Sequence, residues 1–156
     1  MQQLRLIQLR STDALPFSLL LLADETIAAI EKYIYNSAVY VLMDAQEMIG
    51  VAALYPLSAD ELEIKNIAIA VSHQNKGIGS FLIRQLVELA RKQHYKTLLV
   101  GTADTGLQQI RFYERNGFRQ FAIRENFFTE HYPQPIFENG IQLKDMILLR
   151  RALYPL

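Results

Sequence analysis

A six-residue segment near the middle of the chain has the composition of an anion-binding loop. It reads QNKGIG (residues 74–79) and lies between a strongly apolar run and the start of a predicted helix. Glycines let the backbone approach a ligand closely, and a helix N-terminus presents unpaired N–H groups that carry roughly half a positive charge. The segment therefore predicts a cradle for an anion the size of a pyrophosphate.

The glycine spacing separates this loop from the two common nucleotide-binding motifs. It lacks the GxxxxGK[ST] pattern of a P-loop and the third glycine of a GxGxxG dinucleotide fingerprint. The hexapeptide alone is explained about as well by a plain strand-to-helix turn, in which the glycines serve only to reverse the chain. The elements around the loop therefore have to decide between the two interpretations.

Those elements form a strand–helix–strand unit. Leu62 to Val71 predicts a strand that becomes central to a sheet, Ile78 to about Gln93 an amphipathic helix, and Thr97 to Val100 a short buried strand. This order predicts a right-handed crossover that makes the two strands parallel. Before it, Ala38 to Met43 and Met48 to Tyr55 are separated by four residues and predict an antiparallel hairpin.

The ends of the chain add further elements. A first strand is expected around Leu4 to Leu9. Asp13 to about Asn36 is expected to be helical, as one helix or two, with the apolar run Leu15 to Ala23 as a buried helix that Ser11 or Asp13 caps. After the crossover, the patterns predict a helix over residues 106–116 ended by a left-handed Gly117, strands over 118–128 and 141–149, and a turn at Asn139-Gly140.

Together these patterns predict a mixed α and β fold of the α+β class. We expect a twisted mixed sheet of about six to seven strands, an antiparallel meander that leads into the parallel crossover, and helices on both faces. A single domain over residues 1–156 is expected, because no linker or repeat interrupts the sequence.

Composition excludes several classes of function. The chain has no cysteine, which excludes disulfides, thiolate metal sites and a cysteine nucleophile, and its three histidines show no metal-ligand spacing, so no metal is expected. Sixteen basic and sixteen acidic residues cancel, so nothing steers the chain to nucleic acid or to an anionic membrane. The apolar run at residues 15–23 is too short for a membrane span, and a cytoplasmic protein is expected.

The loop does not stand alone. An IAIAV strand precedes it, and the helix, the short strand and the block FYERNGF (residues 112–118) follow it. In this order the segments resemble the GCN5-related N-acetyltransferase (GNAT) superfamily. Three later blocks, FFTEHY (127–132), FENGI (137–141) and Asp145-Met146, are similar to those of bacterial members, some of the antibiotic-type, small-amine kind. The resemblance implies a GNAT-like domain that uses acetyl-coenzyme A as acetyl donor.

The resemblance also implies which residues hold the cofactor. Backbone groups of the strand before the loop contact the acetyl and pantetheine parts, and the loop and helix start hold the pyrophosphate. The residues concerned are Ile67, Ala68, Ile69, Gln74, Asn75, Lys76, Gly77, Ile78, Gly79 and Ser80. The chain departs from the family in having Gln74 for an arginine and Asn75 for a glycine, so we expect a weaker side-chain contact to phosphate or one from Lys76. Asp104-Thr105-Gly106 stands where an asparagine often contacts pantetheine.

Two residues match the family's acid–base groups. Glu63 lies eleven positions before Gln74, the spacing of the glutamate base in histone-type members, and Tyr113 matches the tyrosine that protonates the departing thiolate. The alternative interpretations are that Glu63 lies with Glu61 on the solvent face of a strand and that Tyr113 is a packing residue. For the acceptor, the family's pocket segment implies Phe128, His131, Tyr132 and Asp145.

The expected reaction is direct transfer of an acetyl group to a primary amine of a small molecule in a ternary complex, since no cysteine is present to form an acyl-enzyme. Two alternatives stay open: acetylation of a protein N-terminus or lysine, and a non-catalytic acyl-coenzyme A binding or sensing module. A homodimer is also expected, with the apolar strand MILL (146–149) pairing across the interface.

Overall fold

The computed structural model, which describes residues 3–155, contains a seven-stranded sheet and a separate two-stranded hairpin. The strands are β1 (Leu4–Gln8), β2 (Ala38–Asp44), β3 (Glu47–Pro56), β4 (Glu61–Ile69), β5 (Thr97–Ala103), β6 (Arg119–Arg124), β7 (Phe137–Glu138), β8 (Ile141–Gln142) and β9 (Met146–Ala152). The helices are α1 (Phe17–Leu20), α2 (Ile27–Glu31), α3 (Ile78–Lys92), α4 (Leu107–Arg115) and α5 (Phe127–His131). Short 3₁₀ turns lie at Ile34–Asn36 and Val71–His73.

The strand order in the sheet is β1-β2-β3-β4-β5-β9-β6, and β4–β5 is its parallel pair. β1 to β4 form an antiparallel meander, and α3 makes the crossover to β5. The expected fold class is thereby confirmed, including the hairpin of β2 and β3 and the strand–helix–strand unit. Asn139 and Gly140, both at positive φ, form the expected turn, here between β7 and β8.

Two apolar clusters cover the two faces of the sheet. α3 and α4 pack on one face, where Leu82, Leu86 and Tyr113 meet Leu62 and Ile64 of β4. On the other face, α1 and α2 pack through a second cluster that contains Leu19, Leu20, Ile30, Val51 and Ala68. Helices therefore lie on both faces, and the two faces meet different parts of β4.

The region between Asp13 and Asn36 is the part of the fold that the sequence patterns describe least well. α1 has a single turn and α2 begins anew, because the Thr26 side chain accepts a hydrogen bond from the Ala29 N–H. Of the apolar run, Leu19 and Leu20 are buried, whereas Leu22 is 48% exposed. The prediction of one buried helix over Leu15 to Ala23 was wrong, since so short a helix covers the sheet with one side only.

Asp13 does not cap a helix: its carboxylate accepts hydrogen bonds from the Arg10 backbone N–H and guanidinium and closes a turn. The predicted final strand is divided into β8 and β9, and β9 lies inside the sheet between β5 and β6. Because both of its edges are paired, MILL has no free edge for a second copy of the chain. The homodimer itself stays a prediction. Within residues 3–155, no helix combines the length and apolar character that crossing a bilayer requires.

Candidate active site

A cleft opens where the two parallel strands separate. β4 and β5 pair from Glu61–Thr97 to Ile64–Val100, and beyond that point β4 continues along β3 while β5 continues along β9. The gap is part of a cleft of about 880 Å³ lined by residues from both faces of the sheet. The end of the parallel pairing therefore makes a passage from one face to the other.

A β-bulge lies in β4 at the same level. Leu54 pairs with Ile64 and its neighbour Ala53 pairs with Asn66, so Lys65 is the extra residue. The bulge shifts the alternation of side chains by one position. As a result Leu62 and Ile64 face α3 and α4, whereas Asn66 and Ala68 face α1 and α2, together with Glu63.

Beyond the bulge, alternate backbone groups of β4 point into the cleft. The Ala70 N–H donates to the Ile49 carbonyl at 2.7 Å, so the amide of Ala68, two residues earlier, points the same way, toward β3. The backbone N–H and C=O groups of Ile67 and Ile69 point the opposite way, to the edge of β4 that is no longer paired with β5. In agreement, the Ile69 carbonyl accepts from Gln74 Nε2 at 2.9 Å. The structure thus places two of the three predicted backbone contacts at the cleft and directs the third into the sheet.

The predicted anion loop forms the mouth of this cleft. Gly77 precedes the first residue of α3 with φ at +79°, and a Cβ built on it would meet no atom within 4 Å. The unpaired N–H groups at the start of α3 face this open space. With fifteen residues, α3 is long enough to develop a full helix dipole, whose positive end lies there. A Cβ on Gly79, by contrast, would lie 3.2 Å from the Phe112 ring, so this glycine lets α3 and α4 approach closely.

Side chains of the loop serve mainly to fix it in place. Gln74 is engaged with the Ile69 carbonyl, and Ser80 Oγ accepts a hydrogen bond from Asn116 Nδ2 at 3.2 Å, which ties the first turn of α3 to the end of α4. Lys76 is exposed and lies outside the cleft lining, and Ile78, the first residue of α3, is buried in a cluster with Leu42 and Ile49. Backbone N–H groups, and not these side chains, are therefore what the loop offers an anion.

Glu63 lines the cleft with its side chain 12% exposed. Its Oε2 lies 3.3 Å from Lys65 Nζ, and Lys65 in turn lies over the Tyr55 ring. A carboxylate held by one neighbouring ammonium keeps its second oxygen available for another donor. The structure therefore places the predicted base inside the cleft, on the α1–α2 side of the passage, and not on a solvent face.

Tyr113 lines the same cleft from the α4 side of the sheet. Its ring packs edge-on between Phe112 and Phe118, with centroids 5.3 Å and 5.7 Å away. Burial raises the pKa of its phenol well above the usual value near 10. The group is therefore a protonated phenol at neutral and mildly alkaline pH, as a proton donor must be.

A polar network that the sequence patterns did not reveal lies on the α1–α2 side. Asn66 Nδ2 donates to the Leu20 carbonyl and to the Tyr33 hydroxyl, at 2.9 Å and 3.0 Å. Asp24 accepts from the Tyr33 hydroxyl at 3.1 Å and from the Tyr132 hydroxyl at 2.7 Å. Burial first, and then Asp24, raises the pKa of Tyr132, so its hydroxyl stays a donor. The only local signal was a polar Lys65-Asn66 pair within an apolar strand.

The aromatic segment that contains α5 closes the cleft on this side. Phe128, His131 and Tyr132, three of the four residues predicted to meet the acceptor, all line it. Besides the Tyr132–Asp24 hydrogen bond, Lys32 Nζ donates to the His131 carbonyl at 3.1 Å, so α5 is attached to the α1–α2 region at two points. Asp145, the fourth predicted residue, lies outside the lining, and its carboxylate accepts from the Asn126 N–H.

Comparisons with known proteins agree with this arrangement. Residues 7–118 match the model of the Acetyltransferase (GNAT) family. The chain is 37% identical to YvbK of Bacillus subtilis, named as an N-acetyltransferase, over 96% of each chain. It superposes with a TM-score of 0.92 on an Elizabethkingia anophelis GNAT acetyltransferase with acetyl-CoA bound, at 39% identity over 96% of this chain and 97% of that one.

A second solved structure, the IAA acetyltransferase from Bacillus cereus, gives a TM-score of 0.89 at 37% identity over 96% of this chain and 99% of that one. The open-edge amides, the empty space at Gly77 and the protonated Tyr113 fit the pyrophosphate and thioester of acetyl-CoA. The chain belongs to the GNAT acetyltransferase family and is an acetyl-CoA-dependent N-acetyltransferase.

Proposed function

We propose that the chain transfers the acetyl group directly to a primary amine of a small molecule. The observation that carries this proposal is the passage between β4 and β5, because it connects the donor loop on one face with a polar cleft on the other. On that second face the aromatic segment around α5 is attached to the α1–α2 region at two points. Such an attachment narrows the cleft and favours a small acceptor over a protein segment.

Acetyl-CoA supplies the activated acetyl thioester, and the backbone of the chain would hold it. The N–H groups of Gly77 to Ser80 at the start of α3 would bind the pyrophosphate oxygens. The open-edge N–H groups of Ile67 and Ile69 would donate to the acetyl carbonyl and pantetheine oxygens, which stabilises the negative charge that develops on the carbonyl oxygen during attack. Gln74 and Ser80 contribute by fixing the loop and the helix start.

Glu63 would accept the proton that an acceptor ammonium must lose, either directly or through a water molecule. The free amine then attacks the carbonyl carbon, a C–N bond forms, and the C–S bond breaks with its electron pair on sulfur. Tyr113 would donate its phenolic proton to that sulfur. The nitrogen, which carries an extra proton after its attack, loses that proton to solvent or to the Tyr113 phenolate, and the amide product keeps one N–H. No cysteine is present to hold the acetyl group in between, which supports a ternary complex.

A panel assay tests the proposal against its alternative. The protein is mixed with acetyl-CoA and either small primary amines or peptides with free N-termini and lysines, and thiol release is followed. We expect release with small amines and little with peptides. Faster release with peptides would replace this proposal with protein acetylation. Binding of acetyl-CoA without release for any acceptor would favour the binding or sensing module.

Replacing Tyr113 with phenylalanine is expected to lower kcat by about 10- to 100-fold, because the departing thiolate loses its proton donor. The KM for acetyl-CoA should change by less than about twofold, since the ring and its packing are kept. Because burial raises the pKa of Tyr113, the wild-type kcat should show no alkaline decline from this group below about pH 10. An unchanged kcat in Tyr113→Phe would remove the assigned role.

A further inference from the structure

The part of the polar network that lacks a partner is Asn66 Oδ1. Asn66 is 3% exposed and lines the cleft, and its Oδ1 accepts no hydrogen bond from any residue between 3 and 155. The orientation of the amide is fixed, because the Leu20 carbonyl can only face the Nδ2 donor. A buried acceptor without a donor is costly, so this atom indicates a ligand that brings an N–H or O–H group.

The charge next to Asn66 selects among such donors. Asp24 shares the Tyr33 hydroxyl with Asn66, and its carboxylate accepts three hydrogen bonds, from Tyr33, Tyr132 and the Glu25 N–H. Within residues 3–155, neither Asp24 nor Glu25 has an ion-pair partner. Three cations line this side of the cleft: Lys65 is paired with Glu63, Lys32 donates to the His131 carbonyl, and the Arg124 guanidinium lies over the Phe127 ring. The Asp24 carboxylate is therefore a negative charge held by neutral donors, which a cationic donor would compensate.

The wall beside Asp24 is aromatic. Phe128 and Tyr132 stack with ring centroids 5.9 Å apart, and Phe127 packs edge-on against Phe128. All three line the cleft, and Phe128 and Tyr132 present carbon surface next to the Tyr132 hydroxyl that donates to Asp24. The Phe127 ring is itself covered by His131, which stacks on it, and by the Arg124 guanidinium. A ligand that fits has a positively charged donor at one end and an apolar, ring-sized body at the other.

We propose that Asn66 Oδ1 and the Asp24 carboxylate form the binding site for the ammonium group of a short arylalkyl primary amine, which is the acceptor class of this enzyme. The inference rests on the proposed function and narrows it. The bulge at Lys65 brings Asn66 to the face on which Glu63 lies, so the bound nitrogen and the base share one side of the sheet. Lysine-like or polyamine acceptors, which lack the apolar body, fit the aromatic wall less well.

The test measures binding without turnover. The protein is saturated with CoA, which carries no acetyl group, and titrated calorimetrically with 2-phenylethylamine, 2-phenylethanol or 3-phenylpropionate. We expect the amine to bind at least about tenfold more tightly than the alcohol and the carboxylate not to bind. Equal binding of amine and alcohol, or no binding of the amine, would overturn the inference. The thiol-release panel judges the proposed function separately, since this measurement needs no catalysis.

Substitutions test the Asp24 carboxylate and Asn66 Oδ1 separately from the overall charge of the cleft. Asp24→Asn is expected to weaken binding of the amine at least about tenfold and to leave binding of the alcohol unchanged, whereas Glu25→Gln, the neighbouring carboxylate at the same cleft, should change the amine Kd by less than about threefold. If Asp24→Asn and Glu25→Gln weaken amine binding equally, the amine responds only to the overall negative charge of the cleft, and the proposed site at Asp24 is wrong.

Asn66→Ala should weaken amine binding at least about tenfold. Tyr33→Phe removes a hydroxyl that supports Asn66 and Asp24 but leaves Oδ1 and the carboxylate in place, so its effect should be several-fold smaller. A Tm and a CoA Kd measured for each variant identify any that fail to fold. If folded Asn66→Ala binds the amine like the wild type, the assignment of Oδ1 is wrong.

Discussion

Gly77→Asp is expected to weaken acetyl-CoA binding at least about 100-fold, which corresponds to about 2.7 kcal/mol, while the chain keeps its fold. The space beside this residue is open, so the new side chain clashes with no protein atom but places a carboxylate where the pyrophosphate is expected to bind. Charge repulsion and the loss of the favourable helix N-terminus act in the same direction. Calorimetric titration with CoA, together with circular dichroism, measures both outcomes.

A matched control separates charge from backbone strain. Gly140 has φ at +78°, close to the +79° of Gly77, and a Cβ built on it also meets no atom within 4 Å, but it lies in the β7–β8 turn and outside the cleft lining. Gly140→Asp therefore carries the same conformational cost of about 1 kcal/mol without approaching the cofactor. If both variants weaken CoA binding equally, the loop does not bind the pyrophosphate.

Glu63→Gln is expected to lower kcat by about 10²- to 10³-fold with little change in the Kd of acetyl-CoA. The amide keeps the size and hydrogen-bonding capacity of the side chain but cannot accept a proton at neutral pH. Stopped-flow measurement of thiol release under saturating acetyl-CoA isolates this step. The loss in kcat relative to the wild type should become smaller as the pH is raised toward the pKa of the acceptor ammonium, because the free amine then forms without a base.

Glu61→Gln is the control for this variant. Glu61 is two residues earlier on the same strand, has the same charge and lies outside the cleft lining. Its replacement should leave kcat within about twofold of the wild type. A similar loss in both variants would assign the effect to net charge, and an unchanged kcat in Glu63→Gln would exclude Glu63 as the base.

The sequence was sufficient for the parts of the fold that depend on local periodicity. α3, the β2–β3 hairpin and the parallel pair follow from apolar spacing and from the position of the glycines, and all are present. The prediction of a buried helix over Leu15 to Ala23 was wrong, because nine apolar or near-apolar residues in a row do not indicate which of them a short helix buries. Contacts with β3 and β4, distant in sequence, make that choice.

The residues of the site also divide into those that local sequence predicts and those that depend on distant contacts. The anion loop could be located from residue types alone, since a helix N-terminus with glycines has a local physical meaning. Asn66 could not, because strict alternation along β4 would place it beside Leu62 and Ile64 in the core, and the bulge that moves it to the other face depends on pairing with β3. The Asn66–Tyr33 hydrogen bond joins residues 33 positions apart and the Asp24–Tyr132 hydrogen bond residues 108 positions apart, and no local sequence pattern reveals either.

The bulge at Lys65 also has an evolutionary consequence. Beyond it, β4 would hold the donor through main-chain groups, which every residue type except proline provides, and would meet the acceptor through the side chain of Asn66. Mutations at position 66 can therefore alter the choice of acceptor while the donor site is inherited unchanged. Insertion or deletion of one residue at position 65 would instead exchange the two faces at once, so such length changes in this strand should be absent among functional descendants of this gene.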